Sequence, residues 1–362
     1  MLVDIDALDD LAAGSVFLGT GGGGDPYLNT LIARRILGEH GPVQLLHPDE
    51  LADDAFVVCV GGIGAPSVGL ELLPAARQSA RALEKFEEHM QRKVDALVAV
   101  EVGGANSLMP IVAAAVRGLP VVDGDGMGRA FPEAQMTTFS IGGIASTPSI
   151  AVDYEGNAEL FLQGSPREFE RAIREFALAR GGVVIATEHP MSGRALKQTV
   201  VPGTMTFAIK LGRALRDGRG RAQQMLERLR ETFAGSIYGA FRYLHSGKIV
   251  DTVTRTVGGY DTGSVTIESF DDSAQLQIDI RNEFLVARRA GRVVAMVPDL
   301  ITIVDYETSA PINAERLRYG QRVSVFGVGC PSYYRTPKAI EAVGPRCFGF
   351  DFDYRPIEEL PA

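Results

Sequence analysis

Four stretches of the chain hold residue types that could do chemistry. In Glu101-Val102-Gly103-Gly104-Ala105-Asn106-Ser107, a carboxylate, a glycine pair and an amide follow a buried apolar run. That order puts them at the C-terminal edge of a strand, where open parallel sheets bind ligands. The alternative is an ion-paired Glu101 and an Asn106 that caps the next helix. Asp123-Gly124-Asp125-Gly126-Met127-Gly128-Arg129 follows another such run. Two carboxylates two residues apart suit a general base or a divalent cation, and Arg129 could neutralise one of them or clamp a substrate anion. A calcium loop fails on spacing, because the twelfth position from Asp123 is Ala134 rather than Glu.

The third stretch is Val328-Gly329-Cys330-Pro331-Ser332-Tyr333-Tyr334-Arg335. Cys330 stands in a loop just past a strand, with a cation five residues on. This reads as an exposed thiol of depressed pKa, a candidate nucleophile, with Arg335 a candidate substrate contact. Cys59, inside an unbroken apolar run, reads as inert core, and Cys347 has no telling context. His189, in Glu188-His189-Pro190, is the histidine best placed for acid–base work, although a satisfied core histidine is the plainer reading. The fourth stretch is Gly19-Thr20-Gly21-Gly22-Gly23-Gly24-Asp25, just before a helix. Its amides could form an anion-binding nest, which makes Gly21, Gly22, Gly23 and Asp25 candidate substrate contacts. A tight turn that lets segments pack closely is the alternative. No Lys-Ser/Thr follows and no evident strand precedes, so neither the P-loop nor the dinucleotide fingerprint fits.

The elements that would position these residues alternate through the first half. Helices are expected over 5–15, 26–38, 75–92 and 107–116, and strands over 43–46, 56–60, 96–100 and ending at 121–122. The order implies a largely parallel sheet covered by helices. A hairpin over 150–162, helices over 166–179, 204–216 and 221–234, and a strand over 183–186 follow. Past residue 247 the chain is β-rich, with short β-branched runs at 265–267, 276–280, 293–297, 301–304 and 323–325. The expected organisation is an α/β N-terminal domain, residues 1–165, and a β-rich α+β C-terminal domain, residues 166–362.

Composition narrows the class. Lys and Arg number 36 against 45 Asp and Glu, a net charge of −9, which excludes an electrostatic nucleic-acid binder. The 41 glycines of 362 residues exceed the usual share of about 7% and cluster in shaped loops. Three cysteines, with no CxxC pair, argue for a reducing compartment and against a Cys/His zinc site. The acidic first residues lack the basic start of a signal peptide, and the apolar stretch at 55–70 is too short to span a bilayer. A cytoplasmic protein without membrane attachment is expected. A homo-oligomer is expected on base rates.

Taken together, the segments resemble the S-methyl thiohydantoin desulfurase family over nearly the whole chain. The carriers are Leu18-Gly19-Thr20-Gly21-Gly22-Gly23-Gly24-Asp25-Pro26-Tyr27, Gly64-Ala65-Pro66, residues 101–108 and 123–136, Asn282-Glu283, Val297-Pro298-Asp299-Leu300-Ile301, Leu317-Arg318-Tyr319-Gly320 and Gly344-Pro345-Arg346 with Phe348-Gly349. The resemblance implies an α/β N-terminal part, a β-containing C-terminal part, and a small heterocyclic substrate of thiohydantoin or hydantoin type. It also implies catabolic settings shared with hydantoinase and oxoprolinase enzymes. Cys330 departs from many members, which marks a thiol-using subgroup or is incidental.

The chemistry of such a ring sets the demands. Its C2 is amidine-like and bears a methylthio group, and replacing that group by oxygen yields a hydantoin and methanethiol. One expected route has Cys330 add to C2, with water then activated by Asp123 or Asp125 and the ring held by the glycine loop or Arg129. The other uses water directly, with a carboxylate base or a divalent ion on Asp123, Asp125 and Glu101, and leaves Cys330 a bystander. No resident cofactor is expected on the first route. A non-catalytic ligand-binding subunit and a nucleotide-binding loop are the competing classes.

Overall fold

The computed structural model describes residues 1–72, 77–220 and 222–361. The chain opens with β1 (Leu2–Val3), α1 (Leu8–Leu18) and α2 (Tyr27–His40), the glycine loop lying between the two helices. Next come β2 (Val43–Leu46), β3 (Phe56–Gly64), α3 (Gln78–Met90), β4 (Ala96–Ala99), α4 (Met109–Arg117) and β5 (Val121–Asp125). The helix starts expected at 75 and 221 lie outside the described residues. Strands β2, β5, β4 and β3 are mutually parallel, and the apolar runs of β3 and β4 are buried on both faces, as the absence of alternation requires.

After α5 (Thr138–Ile141), β6 (Ser149–Val152) and β7 (Ala158–Phe161) form the expected hairpin. Helix α6 (Pro166–Ala179) starts at a capping box: Ser165 accepts from the Glu168 amide, Glu168 accepts from the Ser165 amide, and Pro166 sits at the first turn. Then follow β8 (Val183–Ser192), α7 (Gly193–Thr199), β9 (Val201–Pro202), α8 (Thr204–Asp217) and α9 (Ala222–Phe233). Two of these strands reach back across residue 165. Strand β8 runs antiparallel between β3 and β6, and β9 pairs with β5, so both belong to the first sheet. That sheet is mixed, in the order β1-β2-β5-β4-β3-β8-β6-β7, with a parallel centre and antiparallel flanks. Strand β8 closes the free edge of β3, a non-local pairing that a strand signal ending at 186 does not show.

The second sheet begins with β10 (Phe241–Val257) and continues through β11 (Tyr260–Ser269), β12 (Gln275–Arg281), β13 (Glu283–Arg289), β14 (Arg292–Met296), β15 (Leu300–Asp305) and β16 (Arg322–Val328). It is antiparallel throughout, in the order β14-β13-β12-β11-β10-β16-β15. A last helix, α10 (Pro337–Val343), returns to pack against α5. The two sheets meet at the glycine loop. Phe284 N–H donates to Thr20 O at 2.6 Å, Ala314 N–H to Gly21 O at 2.8 Å, and the Thr302 hydroxyl to Phe17 O at 2.6 Å. No helix among the described residues is long and apolar enough to cross a membrane.

Candidate functional site

A cavity of about 380 Å³ opens where the C-terminal ends of β3 and β4 meet the start of β13. The parallel strands place Glu101 and Asn106 at that edge, and the glycine loop forms one wall through Gly23, Gly24 and Asp25. The second sheet contributes Asn282 and Glu283. Six carboxylates line the space, and they fall into two sets. Asp25, Glu133 and Glu170 are each paired with an arginine: Arg316 at 2.5 Å, Arg281 at 2.6 Å and Arg174 at 2.6 Å. Glu101, Glu188 and Glu283 have no such partner among the described residues, and all three are buried.

The Glu101 carboxyl accepts from Asn106 Nδ2 at 2.5 Å and from the Phe131 amide at 3.2 Å. Asn106 is itself fixed, its Oδ1 accepting from the Gly62 amide at 2.7 Å. Burial outweighs these hydrogen bonds and pushes Glu101 up to about 8. Glu283 is raised well above the carboxylate range, by burial first and then by Glu101. Glu101 therefore carries a proton near neutral pH. Arg129 is a buried cation that acts on both Glu101 and Glu283; burial lowers its own pKa to about 10, against the pull of Glu283.

The glycine loop packs closely against its neighbours. Gly21, Gly23 and Gly24 have φ of +90°, +76° and +75°, and Gly23 O and Gly24 O accept from the Ala105 amide. A Cβ on Gly22 would stand 2.1 Å from Glu283 Oε1, and one on Gly23 would stand 2.3 Å from Gly103 O. Gly21 and Gly22 lie behind the cavity wall, against Phe284 and Glu283, while Gly23 and Asp25 reach the cavity.

The other expected site residues lie elsewhere. Asp123 binds the Thr206 amide and hydroxyl, at 2.9 and 2.5 Å, and so anchors the start of α8. Asp125 is buried and accepts from the Val102, Met127 and Gly128 amides at 2.7–2.9 Å, which staples two loops; burial raises it to about 6. Neither lines the cavity. The ligand set of Asp123, Asp125 and Glu101 is thus not brought together, and no group of three or more His, Cys, Asp or Glu among the described residues is arranged to hold a metal ion. Arg129 is wholly buried. It donates to Ala130 O, Pro298 O, Asp299 O and Thr20 Oγ1, which leaves it a strut between the two sheets rather than a clamp.

Cys330 corrects the reading of an exposed, acidic thiol. It is 1% exposed, and burial, reinforced by Asp299, pushes the thiol up rather than down. The cause is the C-terminal segment, which folds over the loop. Tyr354 Oη and the Ile357 amide both donate to Asp299, at 2.8 and 2.7 Å, and the Cys330 amide joins them at 2.8 Å. Arg335 is held by Glu358 at 3.0 Å and does not line the cavity. Glu188 and Glu283 were missed as site residues. Asn282-Glu283 stood among the family markers, but a lone glutamate opening a strand carries no chemical signature until the sheet delivers it to the cavity.

The fold and cavity define a two-domain α/β protein with a carboxyl-lined pocket at the strand ends of its mixed sheet. Family models described as S-Me-THD-like, N-terminal domain and S-Me-THD-like, C-terminal domain match residues 6–163 and 164–357. The chain belongs to the S-Me-THD-like family. No curated protein matches it. A crystal structure of a protein from Chromobacterium violaceum is similar, with a TM-score of 0.78 at 22% identity, covering 99% of this chain and 100% of that one. That likeness concerns the fold alone.

Proposed function

We propose that the protein hydrolyses an S-methyl thiohydantoin to a hydantoin and methanethiol, using water directly. The observation that carries this reading is the buried Glu101 carboxyl, held protonated by its surroundings inside a cavity sized for a small ring. The substrate carbon is a weak electrophile until its ring nitrogen is protonated. Glu101 supplies that proton as the water oxygen bonds to C2. The positive charge that the amidine gains is stabilised by the Glu101 carboxylate that the proton transfer leaves behind. The tetrahedral carbon then collapses: of the two protons the water brought, one returns to Glu101 and the other leaves on sulfur with the electron pair as the C–S bond breaks. Methanethiol departs and the ring keeps a carbonyl.

This route gives Cys330 no part. It is tested by methanethiol release from S-methyl thiohydantoin, read with a thiol reagent. Glu101→Gln keeps the shape and the Asn106 contact but has no proton to give at neutral pH. Turnover is expected to fall on the order of 10²- to 10⁴-fold. Full turnover by that variant would remove Glu101 from the mechanism. Absence of release by the unaltered protein would leave a ligand-binding role.

A further inference from the structure

A small ring with hydrogen-bond acceptors lies in a pocket as the donors around it dictate. Gln78, Asn106, Arg174 and Asn282 are the buried N–H-bearing side chains of the cavity lining. Asn106 gives its Nδ2 to Glu101 at 2.5 Å and Gln78 its Nε2 to Val152 O at 2.8 Å. Arg174 donates to Glu170, Gly259 O and Pro132 O. Asn282 alone spends its side-chain oxygen and not its nitrogen: Oδ1 accepts a hydrogen bond, and Nδ2 meets no acceptor among the described residues. That nitrogen is not sealed inside the protein either, so it faces the open space the residue lines.

The mount of this donor is rigid. Asn282 is the single residue between β12 and β13, and its neighbours Arg281 and Glu283 pair with each other. The chain reverses there with a φ of +58°, which asparagine tolerates better than most side chains. Such a turn tip is normally solvated, yet Asn282 is 4% exposed. Asp261 holds it twice. Asn282 N–H donates to Asp261 O at 2.7 Å, and Asp261 N–H donates to Asn282 Oδ1 at 2.8 Å. Only the amide oxygen can meet a backbone N–H, so the second bond fixes which end of the side chain is nitrogen. Asp261 is fixed in turn, its carboxylate accepting from the Ser67 amide at 2.9 Å, the Ser67 hydroxyl at 2.8 Å and the Thr256 hydroxyl at 2.7 Å. A buried polar group in so fixed a setting, with its donor unspent, calls for a partner that the chain itself does not supply.

We propose that Asn282 is a specificity-determining residue, whose Nδ2–H binds the C4 carbonyl of the thiohydantoin ring and sets which way the ring lies. This rests on the hydrolytic reading above. In that reading Glu101 donates to the ring nitrogen beside C2. The C4 oxygen is the other strong acceptor of the ring, and Asn282 carries the buried donor left for it. An amide N–H group only donates, so a ring with a methylene in place of that carbonyl gains nothing from it. With both acceptors held, C2 and its methylthio group keep one position relative to Glu101. The C4 carbonyl is untouched by the reaction, so the same contact serves the hydantoin product.

The test uses the whole protein and hydantoin labelled with carbon-13 at C4, which requires no turnover. Binding is expected to move the C4 resonance downfield, together with one proton of the Asn282 side-chain amide, assigned by its absence in Asn282→Gly. Glycine accepts the same φ, and that variant is expected to bind hydantoin about tenfold more weakly and to lose the C4 shift. For 2-imidazolidinone, the same ring with a methylene at that position, the variant and the unaltered protein are expected to agree within about twofold. Unchanged hydantoin affinity in the variant, an equal loss for both rings, or no hydantoin binding by the unaltered protein overturns the contact. Should a melting curve show the variant unfolded, the C4 resonance decides it: no downfield movement on binding to the unaltered protein overturns it. Methanethiol release enters none of these arms. A protein that binds hydantoin through Asn282 and releases no methanethiol keeps this contact and loses the hydrolytic reading.

Discussion

Glu101 holds its proton because burial costs its charged form more than two hydrogen bonds return. That has a consequence for stability. In the unfolded chain the carboxyl ionises near its ordinary 4.5, and in the folded protein near 8. Between those values the folded state binds the extra proton, so this group favours folding below about pH 4.5 and withdraws that support as pH rises through 8. Glu101→Gln removes the dependence, so between pH 5 and 9 the variant is expected to lose on the order of 1–3 kcal/mol less stability than the unaltered protein, measured by denaturant midpoints. Equal losses would show that Glu101 ionises freely in the fold. Cys330→Ala is expected to leave turnover within about threefold, because the thiol is capped by the tail and far from ionising; abolished turnover in a folded variant would restore the covalent route. At this scale the sequence was half legible. Glu101 and Asn106 could be placed at a strand end from one apolar run and one glycine pair. Cys330 misled, because the tail that buries it lies more than twenty residues further along the chain, at Tyr354 and Ile357.

Among the elements, the glycine loop is where sequence and structure differ most in meaning. Its positive φ values were legible in its composition, but the reason for Gly22 was not: the position faces Glu283, a residue of the other sheet. A methyl there cannot be accommodated without moving that carboxyl. Gly22→Ala is expected to cost about 1–3 kcal/mol and at least about tenfold in kcat. A variant with unchanged stability and kcat would show that the loop and the Glu283 side chain can shift without cost. The parallel strands, the hairpin at β6 and β7 and helix α6 followed from apolar runs and caps within their own windows. The extension of β8 past Ala186 did not, because it rests on pairing with a distant strand: Thr187, Glu188 and Met191 sit against Val60, Cys59 and Val57 of β3, with the irregularity at His189 between them.

For the whole molecule, the cavity exists because two sheets close on one loop. Arg129 spans that junction from Thr20 to the carbonyls of Pro298 and Asp299. Removing it leaves those buried acceptors without their donor, and Arg129→Met is expected to cost about 3–5 kcal/mol; a loss below 1 kcal/mol would show that the junction stands without it. The family models meet at 163 and 164, close to the division read from the sequence. The first sheet nevertheless borrows β8 and β9 from beyond that point. A fragment of residues 1–165 is therefore expected to show no cooperative melting, and a sharp transition would make that boundary a folding boundary too. Two-domain class and β-rich ending were legible because they rest on local patterns; the shared sheet was not, because it rests on long-range pairing. The central claim is direct hydrolysis by buried carboxyls. It is tested most directly by methanethiol release from S-methyl thiohydantoin, in protein with and without prior chelator treatment, beside Glu101→Gln and Cys330→Ala. Release that survives the chelator and Cys330→Ala but is lost in Glu101→Gln is the result the account requires. Release abolished by Cys330→Ala, or lost to the chelator and restored by a divalent ion, would contradict it.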